Sequence, residues 1–171
     1  VDGQGIELDW IRSGRFDVKE AEYLSMISGK TSALMGLSCE IGAFLSGKGA
    51  KEMASMRDFG EKIGMAFQIH DDVLNVTGDF EKYQKEIGGD ISEGKRTLMV
   101  VHCLSKAATE EKSRLKSILA SHTKDEADIR QTISLFSKHG SIDYARARAT
   151  NLVEDAKASI SFLRPSPDKD A

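Results

Sequence analysis

Apolar residues along most of this chain recur every three or four positions rather than every second one, the spacing that lays a stripe down one side of an α-helix. The first stripe, Tyr23, Met26, Ile27, Leu34, Leu37 and Ile41, opens behind Asp17 with Glu20 three residues on, a capping-box arrangement, and closes at Gly47 and Gly49. It predicts one helix from about 18 to 46. A second is expected from about 51 to Asn75, stopping near Gly78. From Asp79 to Lys95 the period is lost and Gly88, Gly89 and Gly94 intervene, so this stretch reads as a loop long enough to suggest a functional role.

The run Leu98 to Leu104 behind Thr97 is apolar nearly all round, which places a third helix in the middle of the molecule. Three shorter amphipathic segments come after it, at about 110–120, 124–138 and 142–163, opened by Thr109, Thr123 or Ser141 and stopped by Ser121, Gly140 or Pro165. Val1 to Glu7 reads as a loop entering a helix, and residues 165–171 as a polar tail. The fold class expected is all-α.

Composition narrows the picture. With 171 residues, 40% of them hydrophobic, and two prolines, the chain holds one core and is expected to form one domain or a large piece of one. Twenty-seven acidic residues against 24 Lys and Arg give a net charge of -3, no basis for a nucleic-acid or anionic-membrane surface. Cys39 and Cys103 sit in apolar stretches without Cys-x-x-Cys spacing, as reduced core thiols do. No apolar run approaches the roughly 20 residues that span a bilayer, and no leader opens the chain. A cytoplasmic protein is expected, its sequence beginning mid-protein at Val1 rather than at a methionine.

The sharpest chemical feature is the face shared by Gln68, Asp71, Asp72 and Asn75, which fall at helical offsets of three and four. Adjacent carboxylates at the end of an apolar helix repel each other and are costly to desolvate, and Mg²⁺, an oxygen-seeking ion held by one or two carboxylates plus substrate phosphates, compensates both effects. The alternative is two aspartates merely solvated at a helix end. Lys30 lies on the first apolar stripe, where an ammonium has no structural reason to be unless it meets an anion or snorkels outward. Thr31 beside it adds a hydroxyl donor. Lys85 and Lys95 flank a glycine-rich segment suited to phosphate, although flexible surface lysines would look the same.

Together these residues resemble the trans-isoprenyl diphosphate synthases, of geranylgeranyl or farnesyl type. Tyr23 to Thr31 resembles that family's Lys-Thr helix, Phe67 to Asp72 its second aspartate-rich motif, and Gly89 to Thr97 the Asp-x-x-Glu-Gly-Lys-x-Thr that comes after it. The match spans about residues 3 to 101 and implies the C-terminal part of an isoprenoid-synthase helical bundle. It also implies that Asp71 and Asp72, with Asn75 in the place of a third acid, bind Mg²⁺, while Lys30, Thr31, Gln68, Lys85 and Lys95 hold an allylic diphosphate. Gln4 corresponds to the glutamine of a Gly-Gln-x-x-Asp element in which Glu7 replaces the usual aspartate.

The implied reaction is ionisation of the allylic diphosphate, the departing charge being neutralised by Lys30, Lys95 and Mg²⁺ at Asp71 and Asp72. Isopentenyl diphosphate then adds to the allylic cation, and the proton lost goes to the released diphosphate, so His70 is assigned no role. The family's first aspartate-rich motif and the basic residues for the second substrate are absent. A chain of this extent is therefore expected to be inactive alone and to associate into a homo-oligomer such as a dimer. Rival readings are a non-catalytic helical subunit of a heteromeric synthase and a terpene cyclase; Lys30, Thr31, Glu93, Gly94 and Lys95 fit the synthase pattern.

Overall fold

The computed structural model describes residues 2–78 and 87–166, and among these it contains helices and no strand. Contrary to expectation, Asp2–Arg12 is a helix, α1, instead of an entering loop. Its buried face is Gly3, Glu7 and Trp10, at offsets of four and three. A glycine and an inward-facing carboxylate hide that stripe from a hydropathy pattern. Gly3 is where α1 meets the next helix backbone to backbone, since a Cβ there would sit 2.3 Å from the Lys30 amide nitrogen and 2.3 Å from the Met26 carbonyl oxygen.

The predicted single helix from 18 to 46 is three pieces: α2 (Glu20–Ile27), a π-turn (Ser28–Ser32) and α3 (Ala33–Leu45). Asp17 does not cap it. That carboxylate pairs with Arg15 at 3.0 Å, and Glu22 instead accepts from the Lys19 amide at 2.9 Å. The π-turn inserts an extra residue into the helical count and so rotates the face of α3 by about 100° relative to that of α2. The expected stripe divides there: Tyr23, Met26 and Ile27 are in the core, whereas Leu34, Leu37 and Ile41 are 72%, 45% and 47% exposed.

Helix α4 (Ala50–Thr77) runs back along α3 and the π-turn. Gly60 and Gly64 make the approach possible, because a Cβ would lie 2.6 Å from the Met35 carbonyl oxygen at the first and 2.6 Å from Ser32 Cα at the second. Within the expected 79–95 loop, Gly89–Ser92 forms a short helix, α5, while Asp79 to Glu86, including Lys85, lies outside the described residues.

Helix α6 (Leu98–Lys106) buries Leu98, Met99, Val100 and Cys103, as its all-round apolarity requires. Around it close α7 (Thr109–Ser121), α8 (Glu126–Lys138) and α9 (Ser141–Ser159), the last packed along α4. Asp125 rather than Thr123 caps α8, accepting from the amides of Ala127 and Asp128. Ser141 is no cap either; it is buried, with its hydroxyl 3.0 Å from His102 Nδ1. Pro165 and Ser166 are irregular, and the rest of the tail is outside the described residues.

Candidate functional site

The site forms where the C-terminal end of α4 meets α2 and the π-turn. Asp72 is buried there, and both of its oxygens are taken by protein donors. Tyr23 Oη donates to Oδ2 at 2.8 Å and Gln68 Nε2 to Oδ1 at 2.9 Å. Gln68 accepts in turn from Thr31 Oγ1 at 2.9 Å, so one relay runs from the π-turn through α4 to the carboxylate. The π-turn thus orients Thr31 towards the helix that bears the acids, and π-turns recur at functional sites. Burial pushes the Asp72 carboxyl up to about 7, with the neighbouring Asp90 adding to the rise, against the opposing hydrogen bonds of Gln68 and Tyr23 and the charge of Lys95. Burial also holds the Tyr23 phenol well above its ordinary value, with Asp72, Asp90 and Glu7 acting in the same direction.

Tyr23 therefore senses all three carboxylates, and two of them, Glu7 and Asp90, carry the candidate lysines. Lys30 Nζ lies 2.6 Å from Oε2 of the buried Glu7, and Lys95 Nζ lies 2.7 Å from Asp90 and 2.8 Å from Glu93. Asp90 and Glu93 raise the Lys95 ammonium above its ordinary value, outweighing the burial that would lower it. Asp72, Asp90, Lys95 and Thr97 line one narrow cleft. The structure accordingly brings Lys30, Thr31, Gln68, Asp72 and Lys95 to a single region; Lys85 is outside the described residues.

Asp71 is half-buried, about 100° round the helix from Asp72. Asn75 directs Oδ1 to the Asp90 amide at 3.0 Å, and its own carbonyl accepts from the Gly88 amide at 2.8 Å. It thereby ties the Gly88–Asp90 turn to the end of α4. Gln4 is exposed on α1, one turn before Glu7. Sequence reasoning placed Tyr23 only in an apolar stripe and Glu7 only as a departure from a motif. The signal for Tyr23 was its hydroxyl, which on a buried face requires a partner.

Among the described residues no group of three or more His, Cys, Asp or Glu side chains is placed to enclose a metal ion. Mg²⁺ is commonly held by one or two carboxylates together with water and phosphate oxygens, so it does not require such a cage. No helix among the described residues is long and apolar enough to cross a membrane.

The chain is similar in sequence and fold to known proteins. A short chain isoprenyl diphosphate synthase of Methanothermobacter thermautotrophicus is 42% identical over 168 residues, which cover 98% of this chain and 51% of that protein. The geranylgeranyl pyrophosphate synthetase of Pyrococcus horikoshii superposes with a TM-score of 0.89 at 34% identity, over 99% of this chain and 50% of that one. A polyprenyl synthase from Caulobacter crescentus, in complex with calcium and isoprenyl diphosphate, does so with a TM-score of 0.87 at 28% identity, over 96% of this chain and 50% of that one. The chain thus spans about half the length of the relatives it matches. Residues 1–136, which contain every side chain of the site, match the model of the polyprenyl synthetase family, and the chain belongs to that family.

Proposed function

We propose that this chain forms the diphosphate-binding half of a prenyltransferase, and that the whole protein joins an allylic diphosphate to isopentenyl diphosphate. The observation that carries this reading is that Lys30 and Lys95 each pair with a carboxylate, Glu7 and Asp90, while Thr31 beside Lys30 bonds to Gln68 and the Asp90 amide bonds to Asn75, both on α4. Lys30, Lys95 and Lys85 are proposed to grip the phosphate oxygens, with Thr31, Gln68 and Gln4 as further donors. Asp71 and Asp72, with Asn75, are the residues proposed to hold the ion. Tyr23 and Gln68 each donate one hydrogen bond to Asp72, and Asn75 ties the Gly88–Asp90 turn, which precedes Lys95, to α4. Bound Mg²⁺ would supply positive charge that makes diphosphate a better leaving group. The lysines serve the same end, because their attraction grows as charge accumulates on the departing oxygens.

One carboxylate face is too little to assemble the whole reaction, so the chain as it stands is proposed to bind without turning over. The free thiols Cys39 and Cys103 accord with a reducing, cytoplasmic setting. The exposed apolar line of Leu34, Leu37, Ile41, Phe44 and Leu45 supports self-association of the isolated chain.

Calorimetric titration with inorganic pyrophosphate, with and without Mg²⁺, tests the reading. Binding should require the ion, and Lys30→Ala, Lys95→Ala and Asp71→Ala should each weaken it about tenfold, or 1.4 kcal/mol. Binding that is indifferent to all three replacements would sink the assignment.

A further inference from the structure

Arg96 is Lys95's neighbour in the chain and turns to quite different partners. Its side chain is 3% exposed, and among the described residues no carboxylate pairs with it. The guanidinium donates to three backbone carbonyls instead: Nε to Arg15 at 2.8 Å, Nη2 to Trp10 at 3.4 Å, and Nη1 to Gly94. It also stacks 3.8 Å over the Phe16 ring. Those carbonyls come from the end of α1, from the connection between α1 and α2, and from Arg96's own turn. A buried cation balanced only by peptide dipoles is costly, and an apolar residue of similar volume would stabilise the fold at least as well. What an apolar residue lacks is the planar fork that can reach three carbonyls and stack at once.

The segments so joined carry the two halves of the cradle. Helix α1 presents Glu7 to Lys30, and the Gly94–Arg96 turn presents Lys95. We infer that Arg96 is a positioning residue: it ties the Lys95 turn to the end of α1, and so sets the span between Lys30 and Lys95 that a diphosphate must bridge. The inference rests on the diphosphate-binding role proposed for the cradle, and its test separates the two.

Magnesium pyrophosphate affinity is measured for the chain and for Arg96→Met, each with and without Lys95→Ala, after circular dichroism has shown the variants folded. Arg96→Met should weaken binding about tenfold when Lys95 is present and add nothing when it is absent; Arg96→Lys should recover part of the loss, because an ammonium can donate but cannot fork. An unchanged affinity, or equal losses in both backgrounds, overturns the inference. Should Arg96→Met fail to fold, Arg96→Lys carries the same comparison. Hydrogen exchange supplies a readout without ligand: the amides of 94–97 and of 15–17 should accelerate together in the variant, and unchanged rates refute the clamp. If the unaltered chain binds no magnesium pyrophosphate, the diphosphate-binding role fails and exchange alone decides the clamp.

Discussion

Gly64→Ala should destabilise this protein although alanine is the better helix former. The new methyl would lie 2.6 Å from Ser32 Cα, 2.9 Å from Ser32 Cβ and 3.1 Å from Ser32 Oγ. The first of these is about 1 Å inside ordinary contact, and a Cα cannot swing aside as a side-chain tip can. Helix α4 must therefore back away from the π-turn. Thr31, next to Ser32, donates to Gln68 at 2.9 Å, one turn beyond Gly64, so the retreat stretches that bond too. Overpacking costs about 1–3 kcal/mol and a lost hydrogen bond about 1 more, while the gain in helix propensity returns about 1. The net expected loss is about 2 kcal/mol in urea unfolding at constant m-value. Gly42→Ala in α3 is the matched control, because nothing lies within 4 Å of its added methyl. It should gain about 0.5–1 kcal/mol. Equal effects at the two glycines, or a neutral Gly64→Ala, would refute the backbone-contact argument.

Three other outcomes are expected. Burial, aided by Lys106 and His139 and opposed by Glu20, holds His102 below its ordinary value, where it stacks on Tyr144 and meets Ser141. The unfolded chain therefore takes up this proton first, and the contribution is present above about pH 6.5 and lost as pH falls below it. His102→Gln should shrink the fall in urea midpoint between about pH 7.5 and 5.5, and identical falls would count against it. Replacing Leu37 and Ile41 together by Glu should leave the unfolding free energy within about 0.5 kcal/mol and shift light-scattering mass towards monomer; an unchanged oligomeric mass excludes that stripe from self-association. Glu7→Gln should tighten magnesium pyrophosphate severalfold at low salt and Glu93→Gln much less, with equal responses contradicting the different burial of the two carboxylates.

How much of this could be read in advance depended on whether the signal was local. Burial of α6 was legible because Leu98 to Cys103 leave no polar face to turn outward. The π-turn was not, since its cause is tertiary: Gly3 and Gly64 let two other helices touch the backbone near Lys30 and Ser32. Once it is present, a stripe that looks continuous from Tyr23 to Ile41 must split. The shared face of Gln68 and Asp72 was legible from helical spacing, and its grouping with Lys30 and Thr31 from the family resemblance. The unequal burial of Asp71 and Asp72 was not, because the two are chemically identical and only the position of Tyr23, 49 residues away, marks Asp72 as the buried one. The bond of the Asn75 oxygen was hidden likewise, as the sequence gives no reason to place the Asp90 amide there.

The cradle's charges are balanced before any ligand arrives, and unequally so. Glu7 is 7% exposed and Glu93 65% exposed. An exposed pair is worth little and parts readily, so Lys95 can exchange Glu93 for a phosphate oxygen while Asp90 still holds it. A buried carboxylate stripped of its cation is costly, so Lys30 cannot leave Glu7 and must instead serve both anions at once. The two ammonium groups thus differ in freedom though not in charge. Lys95 is the adaptable contact, on the turn that Arg96 ties to the end of α1. Lys30 is the fixed one, set by a π-turn that two glycines hold against its neighbours. In the proposed binding role, a diphosphate with its ion would therefore meet one rigid cation and one adjustable cation.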